Sequence, residues 1–318
     1  MPVTRDEQLK IVIAAATFNR PKGLAALLDG VEAQDISQGT LLRVVIVDNS
    51  EDANARAYVE KRAATYRWPL SYHHEHRRGI AYARNRGLKD AVETGDDYVV
   101  FIDDDERPQA DWISELLKVA RETGATAVIG AVKPVFAAPP PWWIEAGRFL
   151  EPPHYPDRTT IEYGHTTNAL VELRCVRRLN LDFPPEYALT GGEDTVFFKA
   201  IRDNGGATVF ARNAITFEDI VPKRATLRSL TKFWFRSGNT DGLIQLRSNG
   251  ATVRTSLRLF THGISRTAVG ALGTTLTAPL LLARRAHPFK YIRIMCRGLG
   301  YLAAAAGVVY EEYRDHDR

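Results

Sequence analysis

Residues 98–106 have the sequence YVVFIDDDE, so a run of five apolar or aromatic side chains leads directly into four carboxylates. The apolar run predicts a buried strand. Carboxylates this close together repel and raise one another's pKa unless a cation or a hydroxyl-bearing ligand balances their charge. Such oxygen ligands suit Mg2+ or Mn2+, which also bind diphosphates. The alternative is a solvated turn before a helix N-terminus at Pro108, where acidic residues are favourable.

Strand-like and helix-like segments alternate through the first half of the chain. The predicted strands are Lys10–Ala15, Arg43–Val47, Leu70–Tyr72, Tyr98–Ile102 and Ala127–Val132. The predicted helices between them are Lys22–Gln34, Asn54–Tyr66, Ile80–Thr94 and Ala110–Glu122. This alternation predicts an α/β fold with a mostly parallel central sheet flanked by helices, and a ligand crevice at the carboxyl ends of the strands.

Polar side chains follow three of these strands. Thr17 and Asn19 follow the first strand, Asp48 follows the second, and the carboxylates follow the fourth. Because these ends meet at one edge of the sheet, we expect a nucleotide site there. Asp48 is expected to accept hydrogen bonds from a uracil ring or ribose, and an Asx-type turn with Asn49 and Ser50 is the alternative.

Arg84 lies on the predicted helix before the carboxylate strand. It is expected to reach a phosphate or to hold the acidic loop in place, and simple exposure to solvent is the alternative. The chain contains neither GxGxxG nor GxxxxGK. The sequence therefore disfavours P-loop and dinucleotide-binding sites.

The 318 residues carry a formal net charge of +4, and the positive charge is concentrated near the C-terminus. Residues 242–310 contain nine lysines and arginines and no acidic residue. The two cysteines, Cys175 and Cys296, form no motif, which fits a reducing compartment. The first apolar run, Ile11–Ala16, is too short for the apolar core of a signal peptide and is expected to be a strand.

The C-terminal quarter predicts helices that associate with a membrane. A basic stripe recurs every four residues at Arg254, Arg258, His262 and Arg266. The segment Thr267–Ala283 is uncharged but has only 17 residues, fewer than the roughly 20 apolar residues of a span. Cationic flanks favour helices in the headgroup layer of an anionic leaflet. The alternatives are a span or re-entrant hairpin, and ordinary packing or homo-oligomer contacts; no module indicates nucleic acid as a partner.

Five short motifs occur in a fixed order along the chain. They are TFNR at 17–20, VDNS at 47–50, ARNRG at 83–87, DDD at 103–105 and GGED at 191–194. Each motif is weak alone, but the ordered set resembles glycosyltransferase family 2, the inverting sugar-nucleotide enzymes with a GT-A fold. The resemblance covers about residues 8–240. It implies a UDP-sugar donor and a divalent metal, Mn2+ or Mg2+.

The resemblance also implies a role for each matching position. Asp48 and Asp103 would contact the donor, and Asp105 would bind the metal. Asp194, next to Glu193, would be the catalytic base. The remaining donor-site residues would be Thr17, Asn19, Arg20, Arg84 and Asp104. Family members often supply a histidine as a further metal ligand, whereas the matching region Ala214–Asp219 offers Glu218 instead.

The chemistry calls for a base independently of the family. Single displacement at an anomeric carbon needs a carboxylate opposite the leaving diphosphate to take the proton of the acceptor hydroxyl. Gly191 and Gly192 would allow a close approach of the acceptor, with Glu193 and Asp194 at the start of a predicted helix, Thr195–Asp203. The helix N-terminus is expected to keep the pKa of both carboxyls low unless burial opposes it. A helix N-cap is the alternative role for Asp194.

Residues 134–160 predict a long irregular loop, which is usually functional or mobile. Its Trp142 and Trp143 are expected to stack on acceptor sugars or to anchor the loop by packing. Trp234 and Arg236 lie in a segment that resembles the family region near the donor diphosphate and the acceptor entrance.

Together these features predict a metal-dependent inverting hexosyltransferase. It would move a sugar, with glucose as the first choice, from a UDP-sugar to a lipid-linked saccharide at the cytoplasmic face of the inner membrane, in exopolysaccharide or related glycan biosynthesis. Residues 1–241 would form the catalytic domain and 242–318 the membrane-association region. One alternative is a sugar-1-phosphate nucleotidyltransferase, although its glycine-rich loop is absent after Ala16. The other is an inactive membrane adaptor.

Overall fold

The computed structural model describes residues 8–314, and eight strands and ten α-helices lie in that range. The strands are β1 Leu9–Thr17, β2 Thr40–Asp48, β3 Leu70–His74, β4 Tyr98–Asp103, β5 Glu106–Pro108, β6 Ala127–Phe136, β7 Asn168–Glu172 and β8 Thr208–Ile220. The helices are α1 Pro21–Glu32, α2 Arg56–Ala63, α3 Ile80–Thr94, α4 Trp112–Thr123, α5 Trp142–Gly147, α6 Leu173–Leu179, α7 Glu193–Asp203, α8 Leu227–Asn249, α9 Val253–Thr277 and α10 His287–Ala305.

The strands form one sheet in the order β3-β2-β1-β4-β7-β6-β8-β5. The pairs β3–β2, β2–β1 and β1–β4 are parallel, as the alternation of segments predicts. The pairs β4–β7, β6–β7 and β5–β8 are antiparallel, so the sheet is mixed rather than mostly parallel. Parallel neighbours need a crossover of a dozen or more residues, and only the first four strands alternate with helices in that way.

Helices cover both faces of the parallel strands, which explains why these strands are almost continuously apolar. In β1, Ile11, Ile13 and Ala15 pack against apolar residues of α1, α2 and α4. Val12 and Ala14 face the opposite side and belong to the cluster that contains residues of α3, α6 and α7. This rigid layer fixes the carboxyl ends of β1 and β4.

The chain divides into two compact units. Among the described residues, the first comprises 8–133, 152–189 and 193–218, and the second comprises 134–151, 190–192 and 219–314. The second unit contains α5, inside the predicted long loop, together with α8, α9 and α10. α8 and α10 pack closely, because a Cβ atom on Gly238 would lie 2.1 Å from the carbonyl oxygen of Arg297. None of the described helices is both long and apolar enough to cross a membrane.

Candidate active site

The four carboxylates at residues 103–106, which we call the acidic turn, do not share one environment. Asp103 ends β4, Asp104 and Asp105 form a turn, and Glu106 begins β5. Asp104 and Glu106 are buried, whereas Asp103 and Asp105 are partly exposed. The acidic turn therefore has two accessible carboxylates, Asp103 and Asp105, and two buried ones, Asp104 and Glu106.

Asp104 anchors the loop that follows β1. Its carboxylate accepts hydrogen bonds from the Thr17 hydroxyl at 2.8 Å, the Phe18 backbone N–H at 3.2 Å and Arg20 Nη1 at 3.0 Å. Burial raises the pKa of Asp104 to about 6, although the charge of Arg20 opposes the rise. Thr17, Arg20 and Asp104, all predicted donor-site residues, are thus brought together.

Arg20 also pairs with Asp105, with 2.8 Å between Nη1 and Oδ2. A single guanidinium therefore screens two carboxylates of the acidic turn. Asn19, next to it, has a positive φ of 53° and accepts a hydrogen bond from the Asn54 side-chain amide. α1 approaches the turn closely, because a Cβ on Gly23 would lie 2.3 Å from the Asp104 carbonyl oxygen.

Arg84 connects the acidic turn to α7. Its guanidinium donates to Asp103 Oδ1 at 3.1 Å and to Glu193 Oε1. Arg84 and Glu193 are both buried. Burial raises the pKa of Glu193 to about 7 against the opposing charge of Arg84. For Glu193, burial opposes the effect of the helix N-terminus and raises the pKa, which is the exception that the sequence analysis allowed.

Asp194 lies in the first turn of α7 and is partly exposed. Its Oδ1 accepts a hydrogen bond of 2.6 Å from the Thr195 backbone N–H. The other carboxylate oxygen has no such local bond among the described residues. One oxygen of the side chain is thus held by the start of the helix.

His165, which the sequence analysis overlooked, lies near this cluster. Burial lowers the pKa of its imidazole, although the negative charges of Asp194 and Asp103 oppose this shift. Its Nδ1 is 2.6 Å from the Thr167 hydroxyl. The sequence signal is weak, since His165 stands in a short polar stretch before β7 with no motif around it.

Glu106 and Glu218 occupy paired positions of β5 and β8. Glu106 Oε2 is buried and has no hydrogen-bond partner among the described residues. Burial, then the charge of Asp103, raise the pKa of Glu106 well above its ordinary value, and Glu218 and Asp105 add to the rise. The predicted ligand Glu218 therefore lies within electrostatic reach of the acidic turn.

The oxygen-rich character of this cluster fits a hard divalent cation. An unpartnered buried carboxylate oxygen and four mutually repelling acids are both relieved by positive charge. Within residues 8–314, however, no three His, Cys, Asp or Glu side chains already converge as a metal site.

Asp48 is fully buried and its carboxylate is engaged within the protein. Oδ1 accepts from the Ser50 N–H at 2.8 Å, and Oδ2 accepts from the Ala55 N–H at 2.9 Å and the Tyr72 hydroxyl at 3.0 Å. The bond from Ser50 forms the Asx-type turn that was the alternative, and the other two bonds come from more distant parts of the chain. A contact between Asp48 and the donor stays a prediction.

The remaining predicted residues lie in the second unit. Trp143 stacks on Phe289 with 4.4 Å between ring centroids, Trp142 meets the same ring edge-on, and Trp234 is 2% exposed. Arg236 pairs with Glu312 at 3.0 Å. Gly191 and Gly192 have φ values of 76° and 97°, a conformation that favours glycine. Packing thus accounts for the three tryptophans, and their contact with an acceptor stays a prediction.

Comparisons with known proteins point in one direction. A family model described as "Glycosyl transferase family 2" matches residues 12–178. The succinoglycan biosynthesis protein ExoM of Rhizobium meliloti (strain 1021) is 35% identical over 237 residues, which cover 74% of this chain and 75% of ExoM.

Solved structures show the same likeness at the level of the fold. The mannosyltransferase PcManGT from Pyrobaculum calidifontis, in complex with GDP-Man and Mn2+, has a TM-score of 0.59 at 21% identity, covering 93% of this chain and 86% of that one. TarS 1–349 of S. aureus in complex with UDP has a TM-score of 0.54 at 17% identity, covering 95% and 93%. In the comparison with another S. aureus TarS structure, this protein covers 55% of the length of the TarS chain.

Proposed function

The chain belongs to glycosyltransferase family 2 and is a glycosyltransferase with a GT-A fold, and from this premise we propose that it transfers a sugar from a UDP-sugar to a lipid-linked saccharide with inversion. One observation carries the proposal. Arg84 joins Asp103, at the end of β4, to Glu193, the neighbour of Asp194. The carboxylates proposed for the donor and for the base therefore belong to one cluster.

The donor would bind at the carboxyl ends of β1, β2 and β4. Asp103 would hold the nucleoside diphosphate. The other donor-site residues along the same edge would be Thr17, Asn19, Asp48 and Asp104. Arg20 and Arg84 would screen the charge of the diphosphate, since each already neutralises carboxylates there. Such preorganised cations stabilise negative charge that develops on a leaving group.

Asp194 would act as the base. Its carboxylate takes the proton from the acceptor hydroxyl, whose oxygen forms a bond to the anomeric carbon. The bond from that carbon to the diphosphate oxygen breaks, and UDP leaves with the electron pair. Glu193 would position Asp194 and the sugar through its link to Arg84. No covalent enzyme intermediate is required.

Asp105 and Glu218 would hold the divalent cation, with Mn2+ or Mg2+ as candidates. When bound, such a cation acts as a Lewis acid toward the departing diphosphate. The PcManGT complex contains Mn2+, which supports metal dependence here. Glu218 in place of a histidine would favour hard cations, because both proposed ligands are carboxylates.

The name of ExoM supports a place in exopolysaccharide or related glycan biosynthesis. The acceptor would be built on a membrane lipid at the cytoplasmic face. The TarS complexes with UDP and UDP-GlcNAc support a uridine nucleotide as the donor carrier. Glucose is the first sugar to test. Catalysis would depend on residues 1–241, which include every proposed donor and base residue, and membrane association on 242–318.

The test measures UDP release from a panel of UDP-sugars, starting with UDP-glucose, in the presence of Mn2+. Asp194→Asn should lower the rate at least about 100-fold, because a general base contributes about that much or more. Asp203→Asn, the same change at the exposed end of the same helix, should leave the rate within about twofold of the wild type. Asp194→Asn with an unchanged rate would contradict the role of Asp194.

The nucleotidyltransferase alternative is separated by incubating the protein with UTP and glucose 1-phosphate. Formation of pyrophosphate with no UDP release from any UDP-sugar would favour that alternative. The ordered motifs and the family match support the transferase.

A further inference from the structure

The outer surface of the α9–α10 hairpin is apolar at one end. From residue 268 to 276 the exposed side chains of α9 are alanine, valine, leucine or threonine. The turn that follows is exposed as well, and Leu282 is 93% exposed. We call residues 268–283 the apolar tip. Leu272 and Leu276 within it are 62% and 69% exposed, which is unusual for large apolar side chains on consecutive helical turns.

The inward face of α9 explains why these side chains point outward. It is built from small residues that bring α10 into close contact: a Cβ on Gly263 would lie 3.0 Å from the Gly298 carbonyl oxygen, and a Cβ on Gly270 would lie 2.5 Å from the Met295 nitrogen. The hydroxyls of Thr267 and Thr274 donate hydrogen bonds to backbone carbonyl oxygens one helical turn earlier. Small residues between helices, with internally bonded hydroxyls, are typical of helices that pack in an apolar medium.

Cations border the apolar tip. Arg284 and Arg285 follow it directly, and Lys290 lies one turn into α10; all three are exposed. None of the three forms an ion pair within the described part of the chain. Residues 242–310 contain no acidic side chain that would repel an anionic surface. An apolar surface bordered by exposed cations is typical of protein segments that bind at the interface of an anionic membrane.

We propose that the apolar tip inserts into one leaflet of an anionic bilayer, with Arg284, Arg285 and Lys290 on lipid phosphates. The inference rests on the proposed function, because an acceptor carried by a membrane lipid is what brings the enzyme to that surface. A second copy of the chain is the other candidate occupant. Charge argues against it, because a two-fold contact through the tip would bring equivalent arginines of the two copies together.

Vesicle co-sedimentation of the full chain tests the proposal, with vesicles of phosphatidylcholine alone or mixed with phosphatidylglycerol. The triple variant Leu272→Ser, Leu276→Ser, Leu282→Ser should lose at least about tenfold in binding to the mixed vesicles, because three exposed leucines no longer enter the acyl layer. Arg284→Gln with Arg285→Gln should also lose about tenfold on mixed vesicles and little on neutral ones. The matched control changes three exposed aliphatic residues outside the tip, Leu41, Val308 and Val309, to serine and should bind as the wild type does.

A label reports insertion directly. Cys175 and Cys296 are buried, so Leu282→Cys supplies an accessible thiol for an environment-sensitive fluorophore. Its emission should shift to the blue on mixed vesicles, whereas the same label at Leu41→Cys should not shift.

Unchanged binding of the leucine variant would overturn the proposal. The proposal would also be overturned if the wild type formed a dimer that does not bind vesicles and the leucine variant were a monomer. That result would assign the tip to a contact with a second copy. Hydrolysis of the UDP-sugar in free solution is measured in parallel and should be the same in the tip variants. A failure of the proposed function therefore shows as no UDP release, independently of vesicle binding.

Discussion

At the scale of single residues, Arg84 is a buried cation that pairs with two carboxylates of the site. Its guanidinium lies between the buried Glu193 and the partly exposed Asp103. Removing one partner of a buried ion pair leaves the other charge uncompensated. Arg84→Met should therefore lower the free energy of unfolding by about 3 kcal/mol, measured by urea denaturation.

The matched control is the double variant Arg84→Met, Glu193→Leu, which removes both buried charges and should be more stable than Arg84→Met alone. A single variant as stable as the wild type would contradict a stabilising ion pair between Arg84 and Glu193.

The pairing of Arg84 with Glu193 is also what the sequence could not predict. The two residues lie 109 positions apart, and no periodicity or spacing relates them. The motifs do identify both as site residues, because each belongs to an ordered set of family-like sequences. The position of Asp48 after an apolar strand is evident from the sequence. The hydrogen bonds that its carboxylate accepts from Tyr72 and Ala55 are not, because they depend on tertiary packing.

At the scale of elements, β1 to β4 and the first part of β6 could be predicted from the sequence, whereas β5, β7 and β8 could not. β1, β2 and β4 are buried on both faces, so their sequences are continuous apolar runs that stand out. β5 has the sequence Glu-Arg-Pro and is a strand only because it pairs with β8. β7 has five residues and begins with Asn168, whose side chain is bonded to Trp112 and to two backbone carbonyls. Tertiary partners, rather than local pattern, make these strands.

The approach of α1 to the acidic turn leads to a prediction at this scale. Gly23 lies on α1 where a methyl group would come within 2.3 Å of the Asp104 carbonyl oxygen. Gly23→Ala should lower kcat/KM about tenfold, because α1 or the turn must shift and carry Asp105 with it. The substitution favours the helix intrinsically by about 1 kcal/mol, so lost activity with retained helicity would indicate displacement of the turn. Steady-state UDP release with circular dichroism measures both.

The neighbouring variant Lys22→Ala is the control, since Lys22 is exposed on the same helical turn. It should leave kcat/KM unchanged within about twofold. If Gly23→Ala had wild-type kcat/KM, the close packing of α1 on the acidic turn would have no part in holding the donor site.

At the scale of the whole molecule, charge is divided along the chain. Nine cations and no acid lie in residues 242–310, although the whole chain carries only +4. In the proposed donor site, by contrast, Arg20 and Arg84 each pair with two carboxylates. Buried or partly buried pairs are screened little by salt, whereas exposed cations near a charged surface are screened strongly.

The two activities should therefore respond differently to ionic strength. Raising NaCl from about 0.1 M to about 1 M shortens the Debye length from about 10 Å to about 3 Å, and binding to phosphatidylglycerol-containing vesicles should weaken at least about tenfold. Hydrolysis of the UDP-sugar in solution should change much less over the same range. Arg284→Gln with Arg285→Gln should flatten the salt dependence of vesicle binding, because fewer cations remain to be screened. If vesicle binding ignored salt, the exposed arginines would have no part in membrane association, and the apolar tip alone would have to account for it.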